Sequence, residues 1–250
     1  METHEIVTSG FLMDNDRSKI KRNITKLEKQ NLQKFSDTPT MTTQSLSDRI
    51  RRAISWFKRA QHYKSDLPPR YVDLWVSLNA LYGIAIYKLS EDEKKIRTEL
   101  TDFQQFLKRL IDTSEKGLLL EDLIADPEVL NISKDLVGNK YLRTKFWEGT
   151  SYGQSIKDDQ NALKNATIAK NPEKFFSIVF SRLLIIRNQI FHGSSSSVTL
   201  RNADALEPGC KLLEIWLFTF LELMLNCDPA KENMWPPVPY PKRGSNQHPE

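Results

Sequence analysis

The residues of this chain that could do chemistry are concentrated at the end of one apolar segment. Arg187, Asn188 and His192 place a permanent cation, a carboxamide and a titratable imidazole within six residues. The preceding stretch 175–186 is apolar nearly all round, which is typical of a helix buried in a core. Polar groups carried into an apolar region are costly unless they have a partner or a function. The sequence therefore singles out this segment as the candidate site.

These three side-chain types suit phosphodiester cleavage without a metal ion. The imidazole pKa lies near neutrality, so His192 can take a proton from an RNA 2′-hydroxyl or give one to the leaving 5′-oxygen. Arg187 can bind two phosphate oxygens and stabilise the charge of the transition state, while Asn188 can orient the imidazole or the ribose. Arg187 and His192 lie about 140° apart on a regular helix, so their contact requires unwinding near Gly193.

The same residues also fit a purely structural role. In that interpretation Arg187 is a buried guanidinium paired with Asp73 or Glu214. His192 then bonds to the carbonyls at a helix C-terminus. An Arg-x4-His spacing is short and arises often by chance, so the residues alone leave both interpretations open.

Composition and motif content exclude several classes of site. The 250 residues, 39% of them hydrophobic, are enough for one well-packed domain. Nine glycines are few for this length, and neither a GxGxxG nor a GxxxxGK[ST] pattern occurs, so no nucleotide-binding loop of either type is expected. The four histidines and two cysteines have no metal-ligand spacing, so we predict neither a metal nor another cofactor.

Cysteine usage and hydropathy predict a soluble, cytoplasmic protein. Cys210 and Cys227 would lie about 25 Å apart along one helix, beyond disulfide reach, and free thiols suit a reducing cytosol. The acidic first residues are not followed by the apolar core of a signal peptide. The charge-free stretch 74–87 is shorter than the roughly 20 apolar residues of a membrane span, so no membrane association is expected.

The net charge of +4 is distributed unevenly along the chain. Residues 17–59 sum to +9 and the remainder to −5. Such asymmetry can mark a surface for a polyanion, and also fits a solvated helix face. The candidates for contact with an RNA backbone are Arg49, Arg51, Arg52, Lys58 and Arg59.

Helical periodicity, with no alternating strand pattern, predicts an all-α antiparallel bundle. Residues 1–44 are expected to form a peripheral basic arm, with one short helix near 15–35 whose apolar stripe is Ile20, Ile24, Leu27 and Leu32. The bundle is predicted over 45–227, with an ordered helical and irregular insertion at about 117–171. Residues 228–250 are expected to form an extended, proline-rich tail.

Local signals predict where the main helices begin and end. A first helix starts at Ser45 or Ser47 and runs to about Tyr63, and a second covers Tyr71 to Leu89 after Pro68-Pro69. A third helix follows a capping box of Ser90 and Glu93. The motif helix runs from Asn171-Pro172 to His192 and ends at Gly193, and a last helix opens at Thr199 or Asn202.

The segment RNQIFHG at 187–193 resembles the Arg-x4-His signature of the HEPN superfamily (higher eukaryotes and prokaryotes nucleotide-binding domains), in which Asn commonly follows Arg. The stretch LWVSLNALYG at 74–83 is similar to the second helix of a group of bacterial HEPN proteins. Phe146-Trp147 and the proline-rich tail with Trp235 and Tyr240-Pro241 resemble the same group. The likeness covers roughly residues 46–243 and leaves the N-terminal arm unassigned.

The resemblance implies a helical bundle that dimerises so that two Arg–His motifs face each other across one cleft. Many members are metal-independent endoribonucleases of toxin–antitoxin, abortive-infection and other antiviral systems. In that arrangement Arg187 and His192 of both subunits form a composite catalytic site supported by Asn188. The expected partners are an RNA substrate, a second copy of the chain, and an antitoxin or regulatory protein.

One position departs from part of the superfamily. Some of its toxins carry a tyrosine two residues after the histidine, which a partner nucleotidyltransferase modifies with AMP. Ser194 stands there in this chain, so that mode of control is not expected. The alternative functions are a non-catalytic HEPN module that binds RNA, a nucleotide or a protein, and an inert helical scaffold that uses the motif as a core cap.

Overall fold

The computed structural model describes residues 17–35, 41–63, 65–84, 90, 92, 97–113, 118–192 and 203–238. The predicted all-α class is confirmed, since these residues form helices and no strand. The α-helices are α1 (Arg17–Lys34), α2 (Met41–Ala60), α3 (Leu67–Tyr82), α4 (Glu99–Thr113), α5 (Leu118–Ala125), α6 (Pro127–Gly138), α7 (Thr144–Trp147), α8 (Gly153–Ile168), α9 (Pro172–Phe191) and α10 (Ala203–Leu225). Two 3-10 segments, Lys140–Leu142 and Pro229–Met234, complete the described elements.

Helix α3 begins where its prolines predict and ends earlier than predicted. Pro68 and Pro69 lie in its first turn, where an α-helix needs no proline N–H. Gly83 has an extended backbone (φ −57°, ψ 140°) and its N–H bonds to the carbonyl of Asn79, so the helix stops at Tyr82 rather than at Leu89. Leu89 itself lies outside the described residues.

Helix α4 is capped by a pair of threonines. The N–H of Thr101 donates to Thr98 Oγ1 at 3.1 Å, and the N–H of Thr98 donates to Thr101 Oγ1 at 2.9 Å. This reciprocal arrangement satisfies two backbone donors at the helix start. The capping box predicted at Ser90 and Glu93 involves a residue, Glu93, outside the described part of the chain.

Aromatic rings from α4, α9 and α10 form the centre of the core. The Phe103 ring stacks on Phe180 with centroids 4.0 Å apart and lies 5.9 Å from Trp216. Phe176 meets Trp216 edge-on at 4.8 Å. Aromatic pairs of these kinds add about 0.5–1.5 kcal/mol each beyond the burial of their surface. The core therefore fixes the path of α9, the helix that carries the Arg–His motif.

The insertion packs on α9 and α10 through α5, α6 and α8. Val129 and Leu136 of α6 and Leu163 of α8 are buried in this layer. The buried guanidinium of Arg143 joins the end of α6 to α8, because it donates to the carbonyl of Val137 at 2.7 Å and to Asp159 at 2.6 Å. The insertion is thus an ordered part of the same bundle.

Helix α1 lies against α2 and the C-terminal end of α10. Ile20, Ile24 and Leu27 are buried in the common core. Lys34 donates to the carbonyl of Cys227 at 3.0 Å, which fixes the end of α1. Leu32 is exposed, contrary to the predicted apolar stripe, because it lies five residues after Leu27 and so points away from the docked face.

Both cysteines are buried and free. Burial raises the pKa of the Cys210 thiol well above its ordinary value. Within the described ranges, no helix combines the length and the apolar character needed to cross a lipid bilayer.

Arg49 is wrong as a candidate for contact with RNA, because its side chain is fully buried. The guanidinium donates to the carbonyls of Leu81 (2.9 Å), Gly83 (2.6 Å), Pro236 (2.8 Å) and Pro237 (3.1 Å). It therefore joins the end of α3 to the segment after α10. Burial, with the nearby charges of Arg109 and Arg52, lowers the pKa of Arg49 to about 9.

We expect Arg49→Ala to lower the free energy of unfolding by about 3 kcal/mol or more, because four carbonyls lose their donor. The measurement is urea denaturation, read as a shift in midpoint at constant slope. Lys26→Ala, which removes an exposed basic side chain of α1, is the control and should stay within about 0.5 kcal/mol of the parent. Equal effects of the two substitutions would contradict this role for Arg49.

A candidate site at the end of helix α9

Helix α9 begins where the sequence predicts, and its last residue is Phe191, one before the predicted His192. The Asn171 side chain accepts from the N–H of Lys174 at 2.9 Å, and Pro172 occupies the first turn. His192 follows the last helical residue, and its N–H donates to the carbonyl of Asn188 at 2.9 Å. The predicted helix end at Gly193, like Ser194, lies outside the described residues. The motif therefore occupies the last turn of a helix whose earlier turns are buried.

The Arg187 guanidinium lies between two rings and a carboxylate at the edge of the core. Its centre is 5.9 Å from the ring of Trp75 and 5.1 Å from that of Phe191. Its Nη2 lies 3.6 Å from Glu99 Oε2. The side chain keeps 31% of its surface exposed, so the cation is positioned by its neighbours and still open to solvent.

Asn188 accepts hydrogen bonds from the side chain of Arg187 and from the backbone of His192. Its Oδ1 accepts from Arg187 Nη1 at 2.8 Å, and its backbone carbonyl accepts from the N–H of His192. The side chain thus orients the guanidinium, whereas the sequence pointed to the imidazole or the ribose. The imidazole of His192 is exposed, and the bond that caps the helix comes from the backbone N–H of this residue.

The carboxylate of Glu99 is the site residue that sequence reasoning missed. It is the first residue of α4, and its Oε1 accepts from the hydroxyl of Tyr82 at 2.7 Å. Burial and the neighbouring carboxylate of Glu99 raise the pKa of Tyr82. Glu99 therefore joins α3, through Tyr82, to the guanidinium of Arg187 on α9. No sequence signal marks this pairing, because a carboxylate in a first helical turn is common.

The two acids proposed as structural partners of Arg187 are paired elsewhere. Asp73 lies 3.1 Å from Arg59 Nε, and Glu214 accepts from Arg70 Nη2 at 2.6 Å. Burial raises the pKa of Asp73, while the charge of Arg59 acts in the opposite direction. The pairing of Arg187 with Asp73 or Glu214 is therefore wrong, and Glu99 takes that place.

The insertion places an aromatic surface beside the motif. Gln189 Nε2 and Trp147 Nε1 each donate to the carbonyl of Tyr141 at 3.0 Å, so the insertion is attached to the last turn of α9. Trp147 is 46% exposed and Phe191 is 56% exposed. Two large aromatic side chains are therefore exposed here: Phe191 lies against Arg187, and Trp147 is attached to the same turn through Tyr141.

The other candidates for contact with RNA lie on α2, apart from the motif. Arg51 and Lys58 are exposed, and Arg52 is partly exposed. Arg59 is exposed and pairs with Asp73. These four residues line a groove of about 470 Å³ whose lining contains neither Arg187 nor His192.

The described ranges contain no cluster of three or more His, Cys, Asp or Glu side chains suited to a metal ion. In comparisons with known proteins, no protein-family model, no curated protein and no solved structure matches this chain.

We expect Glu99→Gln to make Arg187 about two- to fivefold more reactive toward phenylglyoxal, a reagent that modifies arginine. The neutral amide holds the guanidinium less strongly, and a partly exposed ion pair is worth up to about 1 kcal/mol. Peptide mass spectrometry gives the modification rate of each arginine. Glu128→Gln, which removes the partner of Lys211 instead, is the matched control. An unchanged rate at Arg187 would show that Glu99 does not restrain it.

Proposed function

We propose that this chain is a metal-independent endoribonuclease of HEPN type that serves as a toxin or antiviral-defence effector. The observation that supports the proposal is the last turn of α9, which carries a partly exposed guanidinium at Arg187 and, five residues later, an exposed histidine. Asn188 and Glu99 hold that guanidinium in place. Because both residues keep access to solvent, a substrate can reach them.

The proposed reaction uses the ribose of the substrate as the nucleophile. One imidazole takes the proton of the 2′-hydroxyl, and the 2′-oxygen attacks the adjacent phosphorus. The bond from phosphorus to the 5′-oxygen breaks, a second imidazole gives that oxygen a proton, and the products are a 2′,3′-cyclic phosphate and a 5′-hydroxyl. Arg187 stabilises the charge on the non-bridging phosphate oxygens during the transfer.

Two copies of the chain supply this pair of imidazoles. Each chain has one histidine at the end of α9, whereas proton removal and proton donation occur on opposite sides of the phosphorus. The exposed ring of Phe191 provides an apolar surface next to Arg187, and the exposed ring of Trp147 lies on the segment attached to the same turn of α9. A two-fold homodimer through this surface would bring Arg187 and His192 of both copies to one cleft.

We expect His192→Ala to abolish RNA cleavage without unfolding the protein. The wild type should cut RNA in EDTA and leave cyclic phosphate ends, because no metal takes part in the proposed reaction. The substituted side chain is exposed, so the free energy of unfolding should change by no more than about 0.5 kcal/mol. Gel analysis of labelled RNA and urea denaturation measure the two effects.

Cleavage that survives in His192→Ala would refute the assignment of this residue. A wild type that binds RNA and never cuts it would instead identify a non-catalytic HEPN module. Large stability losses in both Arg187→Ala and His192→Ala, without RNA binding, would identify the inert scaffold.

We expect Phe191→Ser to shift the protein from dimer to monomer and to reduce cleavage at least tenfold, because a polar side chain replaces an apolar contact of the interface. A loss of about 1.4 kcal/mol in the free energy of association lowers the association constant tenfold. Sedimentation velocity measures the oligomeric state. Ile168→Ser, at an apolar side chain of α8 that is 71% exposed, is the matched control and should leave both properties unchanged.

A mixing experiment tests whether the cleft is shared. When wild type and His192→Ala are combined in equal amounts and allowed to exchange subunits, random pairing leaves about one quarter of the dimers with two imidazoles. At the same total protein concentration, the activity of the mixture should therefore be about one quarter of that of the wild type alone. A fall to one half would show that each subunit cuts on its own.

A further inference from the structure

Helices α1 and α2 carry an excess of positive charge. Together they contain twelve Lys or Arg residues against Glu28 and Asp48, a net charge of +10. The rest of the chain must then sum to −6, since the whole carries +4. A surface of this kind attracts polyanions over a distance of about 8–10 Å at physiological salt.

The exposed side of this helix pair forms a groove that follows α2. Arg51, Ser55 and Lys58 recur at i, i+4 and i+7 of α2, so they form one row of about 10 Å, and His62 lines the groove just after the helix ends. Glu28 of α1 lines the opposite wall of the groove, which measures about 470 Å³. A row of donors of this length can contact more than one phosphate of an extended strand.

A partly exposed tryptophan lies in the same groove. Trp56 lines it, and the guanidinium of Arg59 sits 4.9 Å from its ring. An indole that faces a cationic groove offers a surface for stacking of unpaired bases, and the neighbouring arginine adds a charge for the backbone. Duplex RNA keeps its bases stacked on one another, so this feature favours a single strand.

One cation of the groove, Lys58, pairs with an exposed carboxylate that a phosphate can replace. Lys58 Nζ lies 2.7 Å from Glu28 Oε2, and both side chains are largely exposed. An exposed pair of this kind stabilises the fold by only about 0–1 kcal/mol. Releasing Lys58 from Glu28 therefore costs little, and the ammonium is ready to contact an RNA phosphate.

We propose that the groove formed by α1 and α2 binds the phosphate backbone of single-stranded RNA, with Trp56 stacking on a base. The choice of RNA rests on the proposed function, whereas the attraction of a polyanion follows from the charge and shape of the groove. The groove holds the substrate away from the chemistry, since no residue of the motif lines it. A flat lipid surface would reach only the rims of such a groove.

The test measures RNA binding separately from cleavage. The full chain with His192→Ala binds a fluorescein-labelled, mixed-sequence RNA of about 20 nucleotides in EDTA, followed by fluorescence anisotropy from about 50 to 200 mM salt. Lys58→Ala should weaken binding and reduce the salt slope by about 0.7, the value for one phosphate contact on a single strand. Lys157→Ala, an exposed lysine on α8, is the matched control and should have the salt slope of the parent.

Two further variants separate this groove from an ordinary solvated surface. Glu28→Gln should tighten binding about two- to fivefold, because Lys58 loses its intramolecular competitor. Trp56→Ala should weaken binding to single-stranded RNA about tenfold, Trp56→Phe should retain most of the affinity, and neither should alter binding to duplex RNA.

Unchanged affinity in both Lys58→Ala and Glu28→Gln would overturn the proposal. Equal effects of Trp56→Ala on single-stranded and duplex RNA would overturn the stacking role. Binding to phosphatidylserine vesicles as tight as binding to RNA would replace RNA with a lipid surface. If the wild type fails to cut RNA while the binding pattern holds, the proposed reaction fails and the groove stands.

Discussion

The orientation of the Arg187 guanidinium depends on one ionic contact, with Glu99. Glu99 opens α4, accepts from Tyr82 of α3 and faces the guanidinium of α9, so three helices meet at a single carboxylate. The aromatic core fixes how these helices cross. Because the pair remains partly open to water, its attraction is moderate and a phosphate can compete with the carboxylate for the guanidinium. A sealed pair would hold the arginine more firmly and keep a substrate out.

The sequence predicts much of the fold because local signals agree with the packing. Proline in the first turn of α3 and of α9, and Asn171 as a cap, mark helix starts that depend only on neighbouring residues. The stripe of Phe103, Phe106, Leu107 and Leu110 marks the buried face of α4. Local signals do not predict a helix end that depends on residues far away in the chain. The early end of α3 is an example, because the carbonyls of Leu81 and Gly83 accept from Arg49 of another helix.

The partner of Arg187 could not be obtained from composition or spacing, whereas the burial of Arg49 could be obtained from spacing. Glu99 and Arg187 are far apart in the chain and meet only because α4 and α9 pack together. The helical periodicity of α2 indicates that Arg49 is buried, whereas a count of charges along the chain does not. Arg49 lies three residues after Leu46 and four before Ala53, both buried, so helical periodicity places it on the inner face of α2. The basic residues at 51, 52, 58 and 59 point outward by the same periodicity.

In the proposed enzyme, the residues assigned to proton transfer and most of the excess positive charge lie in different parts of the bundle. This separation has a physical reason. A cluster of many cations beside the imidazole would repel the proton that it must carry to the leaving oxygen. With Arg187 partly neutralised by Glu99, the end of α9 keeps one cation for the phosphate, while most of the excess charge lies on α1 and α2. In the proposed enzyme, attraction of RNA is therefore assigned to one surface and proton transfer to another. Salt should then weaken binding of the substrate much more than it alters the rate of cleavage once RNA is bound.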